Sequence, residues 1–406
     1  MTAIVVHGIG ALCTCDPLLG EAPGVVRDAA LVARDGVIVY AGPEAGLDRS
    51  DIPRGALEVH ARGAAVLPGF VDAHTHIVWL GDRGDEFAQR ASGATYEEIA
   101  AAGGGIRATV RATAAGSLED LVAAGRERAL RMLANGTTTV EVKSGYGLEH
   151  DAEMRQLDAA DQLRRWEDLP DVVATYLPLH ATPDGSREAF LDDVYTRGVA
   201  DAAKRAMFVD AFCEYGAYSV AECERLFSAA AAHRLRPKIH AEQRSHSGGA
   251  LLAAQVGAVS ADHLEHATNT DLEALGKAGV VGVILPGASL VLGGPPPPGR
   301  RLLDAGCAVA VATDCNPGTC YSESMPLMIS LAVALGGLSP AQALVAATAG
   351  GAAALGLTDR GILRAGLRCD AVILKTPSWI DVGYHLGGDV VASVILEGRL
   401  AVPSKA

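Results

Sequence analysis

The sequence is poor in aromatic side chains, in basic residues and in long apolar runs. Phe, Trp and Tyr make up 4% of the 406 residues, whereas glycine occurs 47 times. Lys and Arg number 34 against 48 Asp and Glu, and the net charge of −14 argues against nucleic acid or an anionic membrane as a partner. The apolar stretches are short or interrupted by glycine, so no membrane-spanning helix is expected. We expect a large soluble protein that acts on a small molecule.

Cysteine is not arranged in the patterns that indicate disulfides or thiolate metal sites. The eight cysteines are scattered, and none forms a Cys-x-x-Cys pair. The first residues, MTAIVVHGIGALCTCD, contain neither a basic segment nor a long apolar segment, so no signal peptide is expected. We therefore predict a cytoplasmic protein with reduced thiols.

Both ends of the sequence have the pattern of β structure. LVARDGVIVYAG places two apolar runs on either side of Asp35-Gly36, and VVASVILEGRLAV does the same around Glu397-Gly398. Such pairs of runs joined by a residue and a glycine are typical of β-hairpins. We predict that residues 1–65 and 367–406 together form one small β-sandwich domain.

Between these ends, apolar strands alternate with amphipathic or alanine-rich helices. The count of eight strands predicts an α/β fold, a parallel (β/α)8 TIM-like barrel over residues 66–366. The predicted strands are 65–74, 137–143, 172–180, 207–214, 237–242, 258–264, 280–286 and 308–314. One helix, SLEDLVAAGRERALRMLANG, should begin after Ser117 as its N-cap and end before Gly136. In such a barrel the chemistry lies at the C-terminal ends of the strands.

Histidines and one aspartate occupy those strand ends. In LPGFVDAHTHIVW, His74 and His76 are one residue apart, and the alternation of a strand directs both imidazoles to the same side. The strand-end residues of this kind are His74, His76, His180, His240, His263 and Asp314. The chain has only 12 histidines, so this clustering is hard to assign to chance. Imidazole and carboxylate ligands favour zinc or iron over calcium or magnesium.

The order of these motifs resembles the amidohydrolase superfamily of metal-dependent hydrolases over essentially the whole chain. Longer stretches resemble the imidazolonepropionase family, whose members open a ring in histidine degradation; they are ATYEEIAAAGGGIRATVRATAA, TTVEVKSGYGLEHDAEM, VDAFCEYGAYS, KIHAEQ and ATDCNPGT. The resemblance implies metal-dependent hydrolysis of the cyclic amide of 4-imidazolone-5-propanoate to N-formimidoyl-L-glutamate. It also implies one zinc or iron ion per chain, and we expect a homodimer.

The resemblance further implies roles for individual residues. The metal ligands that it implies are His74, His76, His240 and Asp314. His263 and Asp314 would act as the catalytic residues that take the proton of the attacking water. Arg83, in GDRGDEF, would pair with the substrate carboxylate. The other implied substrate contacts are Tyr96, Tyr146, His180, Gln243, Asn316, Gly318 and Thr319.

The sequence departs from the family pattern at three places. Asp82 precedes Arg83 where asparagine is usual, and its carboxylate could compete for the charge of Arg83. LPLHA stands where a small Gly-Ala pair usually precedes His180. After VILPG the chain continues as ASLVLGGPPPPGRR instead of an aromatic loop with Arg and Glu, which alters the strand-seven wall of the expected pocket.

Three alternative functions can be weighed against the residues of the sequence. A deaminase of a guanine- or cytosine-like ring is disfavoured because the third residue after His240 is Gln243, which cannot carry a proton. A dinuclear hydrolase would need a lysine at the end of the fourth strand, where FCEYG stands. A non-catalytic barrel protein would have no reason to keep all the ligands.

Lys143 and Glu141 have the pattern of an ordinary ion pair at a strand end.

Overall fold

Two eight-stranded sheets, drawn from different parts of the chain, form the architecture. The structure is a computed structural model that describes residues 2–48, 50, 52–93, 98 and 103–402. One sheet is parallel and comes from the middle of the chain, and the other is mixed and comes from both ends. The predicted parallel barrel with an added β domain is confirmed. Among the described residues, no helix is both long and apolar enough to span a membrane.

The mixed sheet brings the two ends of the chain together. Its strands are β1 (Ala3–Cys13), β2 (Val25–Arg34), β3 (Val37–Pro43), β4 (Leu57–His60), β5 (Ala65–Pro68), β14 (Ala371–Leu374), β15 (Val391–Leu396) and β16 (Arg399–Val402). Asp35 and Gly36 join β2 to β3, and Glu397 and Gly398 join β15 to β16. All four turn residues have positive φ, as the predicted two-residue hairpin turns require.

The parallel sheet forms the barrel. Its strands are β6 (Phe70–Asp72), β7 (Thr137–Lys143), β8 (Asp171–Leu179), β9 (Phe208–Cys213), β10 (Arg236–Ala241), β11 (Ser260–His263), β12 (Val281–Ile284) and β13 (Val309–Val311). They lie side by side in chain order. The predicted strands from 137–143 onward agree with β7–β13 to within three residues at either end.

The first predicted strand, 65–74, is divided between the two sheets. β5 pairs with β1 and β14 in the mixed sheet, whereas β6 pairs with β7 in the barrel. Gly69 lies at the division, and a Cβ there would be 2.2 Å from the hydroxyl oxygen of Thr138. Only glycine fits this close approach, so the chain can change sheets at that point. The boundaries predicted for the two domains remain a prediction.

The helices cover the outside of the barrel. The described α-helices are α1 (Gly84–Ala91), α2 (Ile106–Ala115), α3 (Leu118–Ala134), α4 (His150–Leu163), α5 (Arg187–Asp193), α6 (Val199–Ala202), α7 (Val220–Ala231), α8 (Gly249–Val256), α9 (Asn269–Ala278), α10 (Pro286–Leu292), α11 (Gly299–Asp304), α12 (Met325–Ala334), α13 (Pro340–Val345), α14 (Gly351–Ala354) and α15 (Asp381–Tyr384). The predicted N-cap of α3 is confirmed, because the Ser117 side chain accepts a hydrogen bond from the Asp120 amide.

Backbone and side-chain hydrogen bonds help to close the barrel between its first and last strands. The backbone amide of His76 donates to the backbone oxygen of Cys315, and that of Asp314 donates to the backbone oxygen of His74, each at 3.0 Å. Below them, the buried Asp72 carboxylate accepts hydrogen bonds from the amide and the hydroxyl of Thr313, at 3.0 and 2.6 Å. The closure therefore holds the ends of β6 and β13, which carry predicted site residues, at a fixed distance.

Candidate active site

Three histidines converge at the C-terminal end of the barrel. His74 and His76 follow β6, His240 lies in β10, and one ring nitrogen from each lies within 4.8 Å of the others. Asp314, after β13, places its Oδ1 3.5 Å from His74 Nε2 and 3.6 Å from His76 Nε2. The four residues are at most 3% exposed. The structure thus brings together all four of the predicted metal ligands.

The chemistry of this cluster fits a metal ion. His74 Nε2, His76 Nδ1 and His240 Nε2 are buried and have no hydrogen-bond partner in the described part of the chain. A buried polar atom without a partner costs about 1–3 kcal/mol, and a cation between the rings would satisfy His74 Nε2 and His240 Nε2. His76 turns its other nitrogen, Nε2, towards Asp314 on the same side. Burial lowers the pKa of His74 and of His76 well below the usual value, so both rings are neutral and can offer a lone pair.

Two aspartates behind the histidines fix the orientation of the rings. Asp262 Oδ2 accepts a hydrogen bond from His74 Nδ1 at 2.6 Å, and Asp210 Oδ1 accepts one from His240 Nδ1 at 3.1 Å. A carboxylate on one ring nitrogen of histidine leaves the other nitrogen free to bind metal. His74, His76 and His240, with Asp262 against His74, therefore form a buried site of the kind that holds a metal ion.

Buried lysines balance the charge of these aspartates. Lys143 Nζ lies 2.7 Å from Asp210, 2.9 Å from Glu141 and 3.5 Å from Asp262. Lys238 Nζ lies 2.8 Å from Glu141 and donates to the backbone oxygen of Ala73 at 2.9 Å. Burial opposes ionisation of Asp210, but His240 and Lys143 outweigh it and lower the pKa of this carboxyl well below its usual value.

This network is more than the ordinary ion pair expected for Lys143 and Glu141. All of its charged side chains are fully buried, and buried charges require partners in this way. Sequence reasoning missed Asp210, Lys238 and Asp262. The signal that could have found them is a charged residue inside a strand that is otherwise apolar, as in FVDAFC, PKIHA and SADH.

His263 lies beside the metal-binding histidines. Its ring centre is 5.6 Å from that of His74 and 5.4 Å from that of His240. His263 Nδ1 lies 3.8 Å from Glu265 Oε2. Burial lowers the pKa of His263, but Glu265 outweighs it and the net shift is upward. Ser289 donates to Glu265 at 2.7 Å, so the divergent segment after VILPG, whose first residues lie in α10, contributes to this side of the site.

Two predicted substrate contacts lie against His76. The ring of His180 stacks on His76 with centres 5.0 Å apart and planes 13° apart, and the Tyr146 ring centre is 5.7 Å from that of His76. Burial, helped by His240, lowers the pKa of His180 to about 3. His180 is therefore neutral at pH 7 and can exchange hydrogen bonds with a neutral ring. Gln243 is partly exposed on the loop after β10.

The loop after β13 is organised by Asn316. Its Nδ2 donates to Asp314 O at 2.7 Å, and its Oδ1 accepts from the amides of Gly318 and Thr319, each at 2.8 Å. The Thr319 hydroxyl in turn donates to Asp314 Oδ2 at 3.1 Å. Three predicted substrate contacts thus hold Asp314 in place.

Arg83 reaches the same loop from the other side. Its guanidinium lies so close to Gly318 that a Cβ there would be 2.2 Å from Arg83 Nη1. Arg83 Nε donates to Glu86 at 2.8 Å, whereas the Asp82 carboxylate accepts from the Gly84 amide at 3.0 Å. The acidic partner of Arg83 is therefore Glu86 and not Asp82. Tyr96, another predicted contact, lies outside the described residues.

Comparison with known proteins agrees with this geometry. A profile of the Amidohydrolase family matches residues 65–401. The chain is 45% identical to an imidazolonepropionase of Deinococcus radiodurans, over 98% of this chain and 99% of that protein. It is 43% identical to an imidazolonepropionase of Haloarcula marismortui, over 98% and 95%. A zinc-bound adenosine deaminase from Xanthomonas campestris, at 20% identity, shares the fold with a TM-score of 0.77 over 99% of this chain and 93% of that one. The chain belongs to the amidohydrolase family and, within it, to the imidazolonepropionases.

Proposed function

We infer that this protein hydrolyses the cyclic amide of 4-imidazolone-5-propanoate to N-formimidoyl-L-glutamate, a step of histidine degradation. Membership of the imidazolonepropionases supports the reaction. The observation that carries the inference is the cluster of His74, His76 and His240, whose buried ring nitrogens converge on one place. A metal ion at such a site can supply the nucleophile that hydrolysis of an amide at neutral pH requires.

We propose that one zinc or iron ion binds to each chain through His74, His76, His240 and Asp314. Asp262 is assigned to orientation of His74, because Ser260 and Lys143 also contact its carboxylate. When bound, such an ion lowers the pKa of a water ligand to about 7 and polarises a carbonyl.

His263 and Asp314 are proposed to move the protons. Their position supports this, since His263 lies beside His74 and His240, and Asp314 is held by Thr319. The oxygen of water forms a bond with the ring carbonyl carbon while one of these residues takes its proton. The bond between that carbon and the ring nitrogen then breaks, and the nitrogen receives the proton.

Arg83 is proposed to bind the carboxylate of the substrate. Its planar guanidinium can make two parallel hydrogen bonds with a carboxylate, and its contact with Gly318 places it next to the loop that holds Asp314. The ring would lie against the remaining substrate contacts, which are Tyr96, Tyr146, His180, Gln243, Asn316, Gly318 and Thr319. Fixing the ring in this way favours attack at a single carbon.

We also propose that the enzyme is a homodimer in the cytoplasm. All eight cysteines are free and buried, which agrees with a reducing compartment. Light scattering on the purified protein measures the oligomeric state directly.

The function is tested by metal analysis together with an absorbance assay on 4-imidazolone-5-propanoate. Wild type should contain about one zinc or iron ion per chain and should open the ring. His240→Ala removes one of the converging nitrogens and should lose both metal and activity. The matched control is His246→Ala, because His246 is half exposed and bonded to Asp271; this variant should keep both. Full turnover by a metal-free His240→Ala protein would contradict the proposed function.

A further inference from the structure

We propose that Glu86 is a positioning residue for substrate binding. It holds the Arg83 guanidinium in place for the substrate carboxylate and links Arg83 to the glycine segment 103–105, which precedes α2. The inference rests on the proposed function, because it takes the substrate to carry a carboxylate.

Both oxygens of the Glu86 carboxylate are in use. Oε2 accepts a hydrogen bond from Arg83 Nε at 2.8 Å, and Oε1 accepts one from the backbone amide of Gly105 at 2.8 Å. Glu86 is 9% exposed, and the Arg83 side chain is 13% exposed. The carboxylate therefore connects the loop after β6 to the beginning of α2 in a largely buried setting, where a charged hydrogen bond is stronger than at the surface.

The geometry leaves the end of the guanidinium available. Glu86 contacts Nε, so Nη1 and Nη2 can still form a parallel pair of hydrogen bonds with a carboxylate. Nη1 lies against Gly318, and the Gly318 backbone oxygen also accepts a hydrogen bond from Arg90 at 3.2 Å. α1 thus holds the loop after β13 through Arg90, and Arg83, the residue just before α1, lies against the same loop.

Glu86 has two opposite effects on an anionic substrate. Its charge repels the substrate carboxylate, so removal of the charge alone should strengthen binding. Its contact restrains a long side chain that would otherwise lose rotamer freedom on binding, and loss of this restraint should weaken binding about 3- to 10-fold. The proposal is that the restraint outweighs the repulsion. Loss of the restraint raises KM, whereas loss of the repulsion lowers it, so a measurement of KM distinguishes the two effects.

The test is steady-state kinetics of the metal-loaded enzyme on 4-imidazolone-5-propanoate. Glu86→Gln should raise KM about 3- to 10-fold and leave kcat and metal content close to wild type. Asp85→Asn is the matched control, because Asp85 is the exposed neighbour in the same helix and the charge change is the same. Asp85→Asn should either leave KM unchanged or lower it slightly. If Glu86→Gln does not fold, Glu86→Asp, which withdraws the carboxylate by one methylene, should raise KM in the same way.

A double-mutant comparison separates positioning from general support of the fold. In an Arg83→Ala background, Glu86→Gln should no longer raise KM, because the residue that it positions is gone. Only the repulsion of the substrate carboxylate is then removed, so KM should stay level or fall. An equal rise in both backgrounds would overturn the proposal, and so would a fall in KM for Glu86→Gln alone. Failure of wild type to open the ring would overturn the proposed function together with this inference. With wild-type turnover intact, an unchanged KM overturns only the role of Glu86.

Discussion

At the scale of single residues, the role of each histidine follows from the partners of its two ring nitrogens. His74 and His240 each hold an aspartate on Nδ1, which leaves Nε2 for a metal. His263 differs, because its Nδ1 faces Glu265 and its nitrogens are not part of the close group formed by His74, His76 and His240. We therefore expect that loss of His263 affects the rate and not the metal.

His263→Ala should keep about one metal ion per chain but lower kcat by about 10²- to 10⁴-fold, the usual contribution of a general acid or base. Elemental analysis and kinetics on the same preparation measure the two quantities. His246→Ala again serves as the control histidine. Loss of the metal from His263→Ala would show that His263 is a ligand, and the proposed roles would have to be exchanged.

The sequence predicted the histidines of the site but not the residues behind them. His74, His76, His240 and His263 could be found because strand ends and the alternation of strands are visible in one stretch of chain. The partner of His74 is Asp262, 188 residues further along. A single charged residue inside an apolar strand does not show which other strand supplies its partner. The pairing of Arg83 with Glu86 was missed for a different reason, since Asp82 is nearer in sequence.

At the scale of secondary-structure elements, strand positions were predictable and their assignment to sheets was not. LPGFVDAH is one apolar run, and nothing within it shows that Ala65–Pro68 and Phe70–Asp72 belong to different sheets. The division depends on Thr138, which approaches Gly69 from the neighbouring strand. Helix ends were easier to predict, because a cap such as Ser117 bonds to residues only three positions away.

One helix cap joins two elements and depends on pH. Glu222, in the first turn of α7, accepts hydrogen bonds from the amide and hydroxyl of Ser219 and pairs with Arg187 of α5 at 2.7 Å. The contact with Arg187 lowers the pKa of Glu222 from 4.5 to about 2. Because the folded state favours the ionised form, its stabilisation is complete above pH 4.5 and is lost as the pH falls through about 2.

Glu222→Gln should lower the free energy of unfolding at pH 7 by about 1 kcal/mol, the usual contribution of a cap with a partly exposed ion pair. The difference from wild type should narrow as the pH falls below 4.5 and disappear near pH 2. Thermal melts across this range measure it. Glu224→Gln, an exposed change in the same helix, should behave like wild type. A difference that is constant with pH would mean that packing, not charge, accounts for the effect.

At the scale of the whole molecule, the proposed metal joins distant parts of the barrel. Its ligands follow the first strand, lie in the fifth and follow the eighth, and the first and eighth strands are otherwise held by a few contacts such as Asp72 with Thr313. A ligand that binds only the folded state stabilises it by about 2.7 kcal/mol at a concentration of 100 times Kd.

Removal of the metal with a chelator should therefore lower the unfolding temperature by several degrees, and about one equivalent of zinc per chain should restore it. Differential scanning calorimetry with metal analysis measures both. His240→Ala should melt like the metal-free protein and should not respond to zinc, whereas His246→Ala should respond like wild type. An unfolding temperature that is the same with and without metal would show that the ion does not bridge the barrel.

The passage of β5 into the mixed sheet has a consequence for synthesis on the ribosome. Ala65–Pro68 pairs on one side with β1, which is made before it, and on the other with Ala371–Leu374. About 300 residues separate β5 from Ala371–Leu374. At a synthesis rate of 5–20 residues per second, the second edge of β5 stays without its partner strand for roughly 15–60 s. During that interval the nascent chain carries an apolar strand with one unpaired edge directly ahead of His74 and His76. Such an edge is a site at which another chain can pair, and translation speed therefore bears on the yield of this enzyme.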